Sequence, residues 1–197
     1  MRYSESHKQE THTRLVKIAA RMLREKGPDG FAVAELMNEA GLTHGGFYAH
    51  FRNKEDVFAA VLEALGEKIR EVLLEAKAAE PDPVRALSAA IARLFLFLAE
   101  NPGAARILIV ESSGLSPRLE RVRRGILRQH EELVRLRLES APECFETENS
   151  AIAARCMVGA VYEALYSWLE ELPLNRLPAA EAAHLVSEYN LRALRRR

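Results

Sequence analysis

Cysteine is almost missing from this 197-residue chain: Cys144 and Cys156 are the only two. Two are too few for a disulfide framework or a zinc-ligand set. Long apolar runs are missing as well. The most apolar stretch, Leu94 to Ala99, falls far short of the roughly 20 residues that a membrane-spanning helix needs. Met1 to Glu10 is too polar for a secretory leader, so a cytoplasmic protein with no membrane partner is expected. Neither sign of charge is in excess, with 28 Lys plus Arg against 28 Asp plus Glu. That excludes a protein basic throughout, and any nucleic-acid footprint has to be local. Only the first thirty residues lean positive, with Arg2, Lys8, Arg14, Lys17, Arg21, Arg24 and Lys26 against Glu5, Glu10, Glu25 and Asp29. No segment alternates at period two, and neither an internal repeat nor a low-complexity segment occurs. Enzyme signatures are lacking too. There is no nucleophile elbow and no phosphate-binding glycine loop. His130-Glu131-Glu132 has no second histidine four residues on, and His7 and His12 are not spaced i, i+4, so no zinc helix forms. No enzyme, metal site or cofactor is expected.

What the chain does have is a helical pattern and one unusual segment. Its apolar content of 48% is ample for a core. From Leu42 to Lys54 it reads LTHGGFYAHFRNK. At about 100° per residue, Phe47 and Phe51 fall on one side. Gly45, Gly46 and Ala49 fall on the other, with Tyr48 and His50 at its shoulders. Two glycines near a helix start cost roughly 1 kcal/mol each relative to alanine. They suit a bare face that lets another molecule approach the backbone. Val33 to Ala40 forms the preceding short helix, Gly41 stands where a C′ glycine ends it, and Thr43 is placed to cap the next. Helix, glycine turn and capped helix is the helix-turn-helix layout, whose second helix enters the DNA major groove.

Over residues 10 to 60 the chain resembles the TetR family of bacterial transcriptional repressors. The resemblance rests on Arg14 to Leu23, Lys26-Gly27, Gly30-Phe31, Val33 to Gly41 and Thr43 to Glu55. One departure is Ala32, where such domains usually carry Ser or Thr. Glu35 keeps its half of a capping box while the other half is missing. The helix wheel assigns Thr43, His44, Gly45 and Ala49 to base edges, with Gly46 on the same bare face. Tyr48, His50 and Lys54 are assigned to phosphates, at positions that match the family's backbone contacts. On this reading Lys54→Ala lowers the salt slope of DNA binding by roughly one unit.

The remainder reads as helices separated by proline and glycine, about nine in all. The predicted fold is all-α. A three-helix helix-turn-helix head over 1–60 is joined by a long fourth helix to a body over 61–197 that binds effector and dimerises. The first helix runs from His7 to Lys26. The fourth, capped by Asn53, runs to about Glu80, some ~39 Å at 1.5 Å per residue. Later helices span Val84 to Glu100, Ala104 to Ser112, Pro117 to about Ser140, Glu148 to Glu171 and Ala179 to Leu194. The eighth carries two apolar faces. Ala153, Cys156, Met157, Ala160, Ala164 and Ser167 form one. Val158, Val161, Tyr162, Leu165 and Leu169 form the other. A helix with two such faces needs two neighbours: either a homodimer interface through Ala153, Met157, Ala160 and Ala164, or a central position in a monomer. The family's usual four-helix interface favours the dimer. The resemblance also implies a small-molecule effector held among the later helices. Phe95, Phe97, Tyr162, Tyr166 and Trp168 offer aromatic walls, and Arg106 and Glu111 offer polar groups; the same residues also suit a plain core. The expected function is a repressor of a palindromic double-stranded operator, released by an apolar or amphipathic molecule. The alternative is a helical ligand-binding or protein-interaction module without DNA binding.

Overall fold

The computed structural model describes residues 5–111, 116–171 and 175–194. Among these residues there are nine helical segments and no strand. Helix α1 (Glu5–Lys26) buries Leu15, Val16, Ala19, Met22 and Leu23 along one stripe. Helix α2 (Val33–Glu39) starts without any side-chain cap at Ala32. Glu35, left without its capping partner, pairs instead with Lys26 of α1. The end of α2 is specified by Gly41, which takes φ +66°. Leu42 N–H donates to Met37 O at 2.9 Å and Gly41 N–H to Asn38 O at 3.0 Å. These two bonds form a Schellman stop, which glycine allows without a Cβ penalty.

The segment after this turn differs from expectation. His44–Ala49 is a 3-10 helix, and Thr43 makes no side-chain cap bond. Its bonds span three residues: Gly46 N–H to Thr43 O and His50 N–H to Phe47 O, both 2.9 Å. The adjacent glycines disfavour an α-helix, whereas a short 3-10 turn tolerates them. Burial of Phe47 and Phe51, at 2% and 3% exposure, ties the segment to the core.

Helix α3 (Lys54–Ala79) carries the chain from head to body. Asn53 Oδ1 accepts from Asp56 N–H at 2.9 Å, and Asp56 accepts the Arg52 N–H at 3.0 Å, so the start is capped from both sides. The body adds α4 (Pro83–Glu100), α5 (Pro102–Arg106), which continues as one wider π-type turn over Ile107–Glu111, and α6 (Pro117–Glu139). Two further helices, α7 (Ser150–Glu170) and α8 (Ala179–Arg192), complete it. Asp82, Ser116 and Asn149 cap α4, α6 and α7. The expected helices of the body are thus present with bounds shifted by a few residues. Gly114 and the Arg195–Arg197 tail lie outside the described residues.

Packing joins the two parts of the chain. Helix α3 packs on α4 and α6, α4 on α8, and α6 on α7. Helices α3 and α6 cross closely at Gly66, where a Cβ would stand 2.7 Å from Ile126 Cγ1. Only glycine permits that approach. At the head end of α3, Asp56 pairs with Arg118, and Ser116 Oγ donates to Glu55. The start of α6 is therefore tied to the start of α3.

Candidate nucleic-acid interface and ligand cavity

In the head, Thr43, His44, Gly45, Tyr48 and Ala49 are exposed, while Gly46 and His50 are half-buried. Tyr48 stands out at 67% exposure. An added Cβ at Gly45 would meet nothing within 4 Å, and at Gly46 only ordinary contacts with Met37 and Thr43. Neither glycine has positive φ. The chain's own packing gives no reason for glycine at either position. His50 sits beside His12, ring centroids 6.1 Å apart. Burial, then the charges of His12 and Lys8, lowers the pKa of His50. A neutral His50 serves a phosphate only as a hydrogen-bond donor.

Lys54 requires a correction. Its ammonium donates to Pro28 O at 2.6 Å and lies 5.7 and 5.3 Å from the ring centres of Phe31 and Phe58. It holds the α1–α2 corner against α3 instead of reaching outward. Lys54→Ala is therefore expected to destabilise the fold by about 1–2 kcal/mol and to leave the salt slope of DNA binding unchanged. Thermal melts and a salt titration decide this: a slope lower by about one unit with an unshifted melt would return Lys54 to the phosphate set. Arg52 was passed over in the sequence. Its side chain is 79% exposed and pairs with Asp56 at 2.8 Å, beside the 3-10 helix.

The body holds a narrow, partly open cavity of about 80 Å³. Leu87, Ile91 and Leu94 of α4 form one wall and Met157, Val158 and Val161 of α7 another. Helix α3 closes it with Leu73 and Leu74, and His130, Arg137 and Tyr162 bring the polar atoms.

Of the seven residues expected to hold a ligand, Tyr162 alone lines this cavity. Phe95 is fully buried, one residue and about 100° around α4 from Leu94, and meets Trp168 edge-on at 5.5 Å. Trp168 donates its indole N–H to Leu177 O at 2.9 Å and lies under the Arg176 guanidinium at 4.6 Å. Arg106 pairs with Glu170 on the surface at 3.1 Å. Tyr166 is 41% exposed, Phe97 packs half-buried on the core, and the Glu111 side chain lies outside the described residues. The aromatics drew the sequence reading, but they pack on one another or face outward.

His130 was missed. Its signal was present: it continues the buried face of α6 set by Leu119, Ile126 and Leu138, where a polar residue needs a reason. Burial lowers its pKa from the ordinary 6.5 to about 4. The unfolded chain therefore binds this proton more tightly than the folded one. Stability is whole above about pH 6.5 and falls as pH drops towards 4. The loss amounts to about 3 kcal/mol at the low end. Denaturant melts at pH 7 and 4.5 check this, and His130→Gln should flatten the difference.

The dimer residues divide. Met157 is 3% exposed and faces the cavity, so it leaves the outer stripe. Ala153 is half-buried. Ala160 and Ala164 line a shallow outer groove between α7 and α8, together with Leu185 and Tyr189. Among the described residues no cluster of three His, Cys, Asp or Glu is placed to hold a metal, and no helix is long and apolar enough to cross a membrane.

A family described as bacterial regulatory proteins, tetR family, matches residues 15–61, the segment holding both short helices of the head. The head of the chain thus carries the segment by which that family is defined. The curated relatives that the chain matches are transcriptional regulators. The HTH-type transcriptional regulator AcrR of Shigella flexneri is 32% identical over 87 residues, which cover 44% of this chain and 40% of AcrR. The chain thus spans less than half of AcrR in that match. YdgC of Bacillus subtilis, an HTH-type transcriptional regulator, is 27% identical over 183 residues, 90% of each chain. The fold is shared with the transcriptional regulator FadR of Bacillus subtilis, solved with stearoyl-CoA. That likeness has a TM-score of 0.77 at 19% identity and covers 91% of this chain and 97% of that one.

Proposed function

We propose that this chain is a TetR-family repressor that binds a roughly palindromic operator as a homodimer and leaves it when an amphipathic acyl compound enters the body. The observation that carries the DNA reading is the pair Gly45-Gly46. It is exposed or half-exposed, free of internal packing demands, and set in the second helix of a helix-turn-helix. Thr43, His44, Gly45, Gly46 and Ala49 meet base edges, with Ala49 small enough for a thymine methyl. Tyr48 and His50 meet phosphates. The head spans residues 1–60 and the body 61–197.

The outer face of α7 and α8 supports the dimer. Leu185 is 52% exposed and Tyr189 76%, and Ile152 and Tyr166 add apolar surface at 58% and 41%. Gly159 sits mid-helix between Cys156 and Ala160 with nothing within 4 Å of its would-be Cβ. Two heads then engage half-sites one or more turns apart, roughly 34–36 Å per turn.

For the effector, the cavity walls are apolar as a hydrocarbon chain requires, the cavity would have to widen well beyond its about 80 Å³ to take one, and a regulator of the same fold was solved with stearoyl-CoA. A ligand that lowers DNA affinity must bind the DNA-bound form more weakly by the same factor, commonly about 1–3 kcal/mol. A gel-shift assay with DNA upstream of the chain's own gene, with and without stearoyl-CoA, tests both parts. A shift reversed by the thioester is expected. No shift on any DNA would leave a ligand-binding module without DNA binding.

A further inference from the structure

Resting on the reading of the cavity as the effector site, we propose that His130, held by Tyr162, donates the hydrogen bond that recognises the oxygen head of an acyl ligand, with Arg137 supplying a positive charge. The Tyr162 hydroxyl lies 2.9 Å from His130 Nδ1, and the two rings stack at 5.9 Å and 20°. Both residues are buried, at 8% and 2% exposure. Burial keeps the phenol protonated and the imidazole neutral. The pair therefore has two hydrogens to place.

If the ring hydrogen sits on Nδ1 and is donated to the phenol oxygen, the hydroxyl hydrogen lacks an acceptor among the described residues. Nε2 is then a bare acceptor, so two buried groups go unpaired. If the hydroxyl donates to Nδ1, the ring hydrogen sits on Nε2; that N–H is unpaired and the phenol oxygen keeps unused lone pairs. The second placement wins, because the phenol is the stronger hydrogen donor and the imidazole nitrogen the stronger acceptor. Nε2 indeed has no partner among the described residues. Arg137 lies seven residues, two turns, further along the same face of α6. Its Nε is likewise buried without a partner.

The remaining walls are aliphatic. The cavity thus offers two unpaired N–H donors and a positive charge, against one neutral phenol oxygen as acceptor and no carboxylate. That set selects a hydrocarbon body ending in an oxygen acceptor: the carboxylate of a fatty acid or the carbonyl of its thioester. A cationic amphiphile of equal length finds no counter-charge and meets the Arg137 guanidinium instead.

Titration calorimetry on the full chain with dodecanoate, dodecanoyl-CoA and dodecylammonium tests this. At least one acyl probe should bind about tenfold or more tighter than the amine. Binding of dodecanoate alone assigns the free acid, and of dodecanoyl-CoA alone the thioester. His130→Phe should lower acyl affinity about tenfold. Tyr162→Phe should lower it less, about threefold, because the ring hydrogen is then free to move to Nδ1. Nitrogen-15 NMR of the unliganded protein should show the Nε2–H tautomer in the wild type and a mixture in Tyr162→Phe. Unchanged acyl binding in His130→Phe overturns the anchor alone, as does an Nδ1–H tautomer in the wild type. Failure of both acyl probes to bind the wild type overturns the acyl effector itself and the anchor with it.

Discussion

Gly45→Leu is expected to lower operator affinity about a hundredfold while leaving the melting temperature unchanged or slightly raised. The two halves of this result have separate causes. Nothing in the chain lies within 4 Å of the missing Cβ, and the backbone φ is not positive, so a side chain is accommodated without strain. Leucine is also the better helix former, by up to about 0.8 kcal/mol. At the DNA, four added carbons stand between the 3-10 helix and the base edges. Displacing contacts to one or two base pairs costs about 1–3 kcal/mol each, and 2.7 kcal/mol corresponds to about a hundredfold. Gel-shift titration with parallel thermal melts reads both halves. Wild-type affinity in the variant would show that this face does not meet DNA. A lowered melting temperature would mean that Gly45 serves the fold.

Ala164→Arg is expected to yield a folded monomer that has lost tight operator binding. Ala164 lines the outer groove of α7 and α8 and not the cavity, so the fold has room for the side chain. In a two-fold interface the same arginine meets its own copy, and two like charges are buried together without partners. Light scattering should give about the chain mass of 22.1 kDa in place of twice that. Each head then binds alone, and the gain from linked binding, commonly about 10²–10⁴, disappears. Ala160→Arg should behave alike. A wild type that is itself monomeric at micromolar concentration would end the dimer model.

What was legible in the sequence follows from chemistry that acts locally. The stop at Gly41 and the cap at Asn53 are decided by one or two residues each, and both stand in the structure where the pattern put them. The inward turn of Phe47 and Phe51 was legible for the same reason, since a bare face leaves only one side to bury. The narrowing of that segment to a 3-10 helix was not, because it reflects a balance between glycine propensity and tertiary anchoring. The inward contacts of Lys54 could not be read in advance, because its partners, Pro28 O and the rings of Phe31 and Phe58, are assembled only by the fold. The cavity was the least legible part. Its walls use the leucines and valines of any core, and Met157 fits a small-residue stripe and a cavity wall equally well on a helical wheel.

The glycine crossing of α3 over α6 makes the long helix a lever once the Asp56–Arg118 and Glu55–Ser116 ties at its head end give way. From Gly66 the arm to Lys54 is 12 residues, ~18 Å, while Leu73 at the cavity wall stands only seven residues away on the other side, ~10.5 Å. A ligand that pushes Leu73 aside by ~1 Å thus swings the head by ~1.7 Å. In a symmetric pair the two swings add to ~3.4 Å, the rise of one base pair. On the proposed dimer and effector site, a displacement of the size of one methyl group in the body would put the two heads a full base step out of phase.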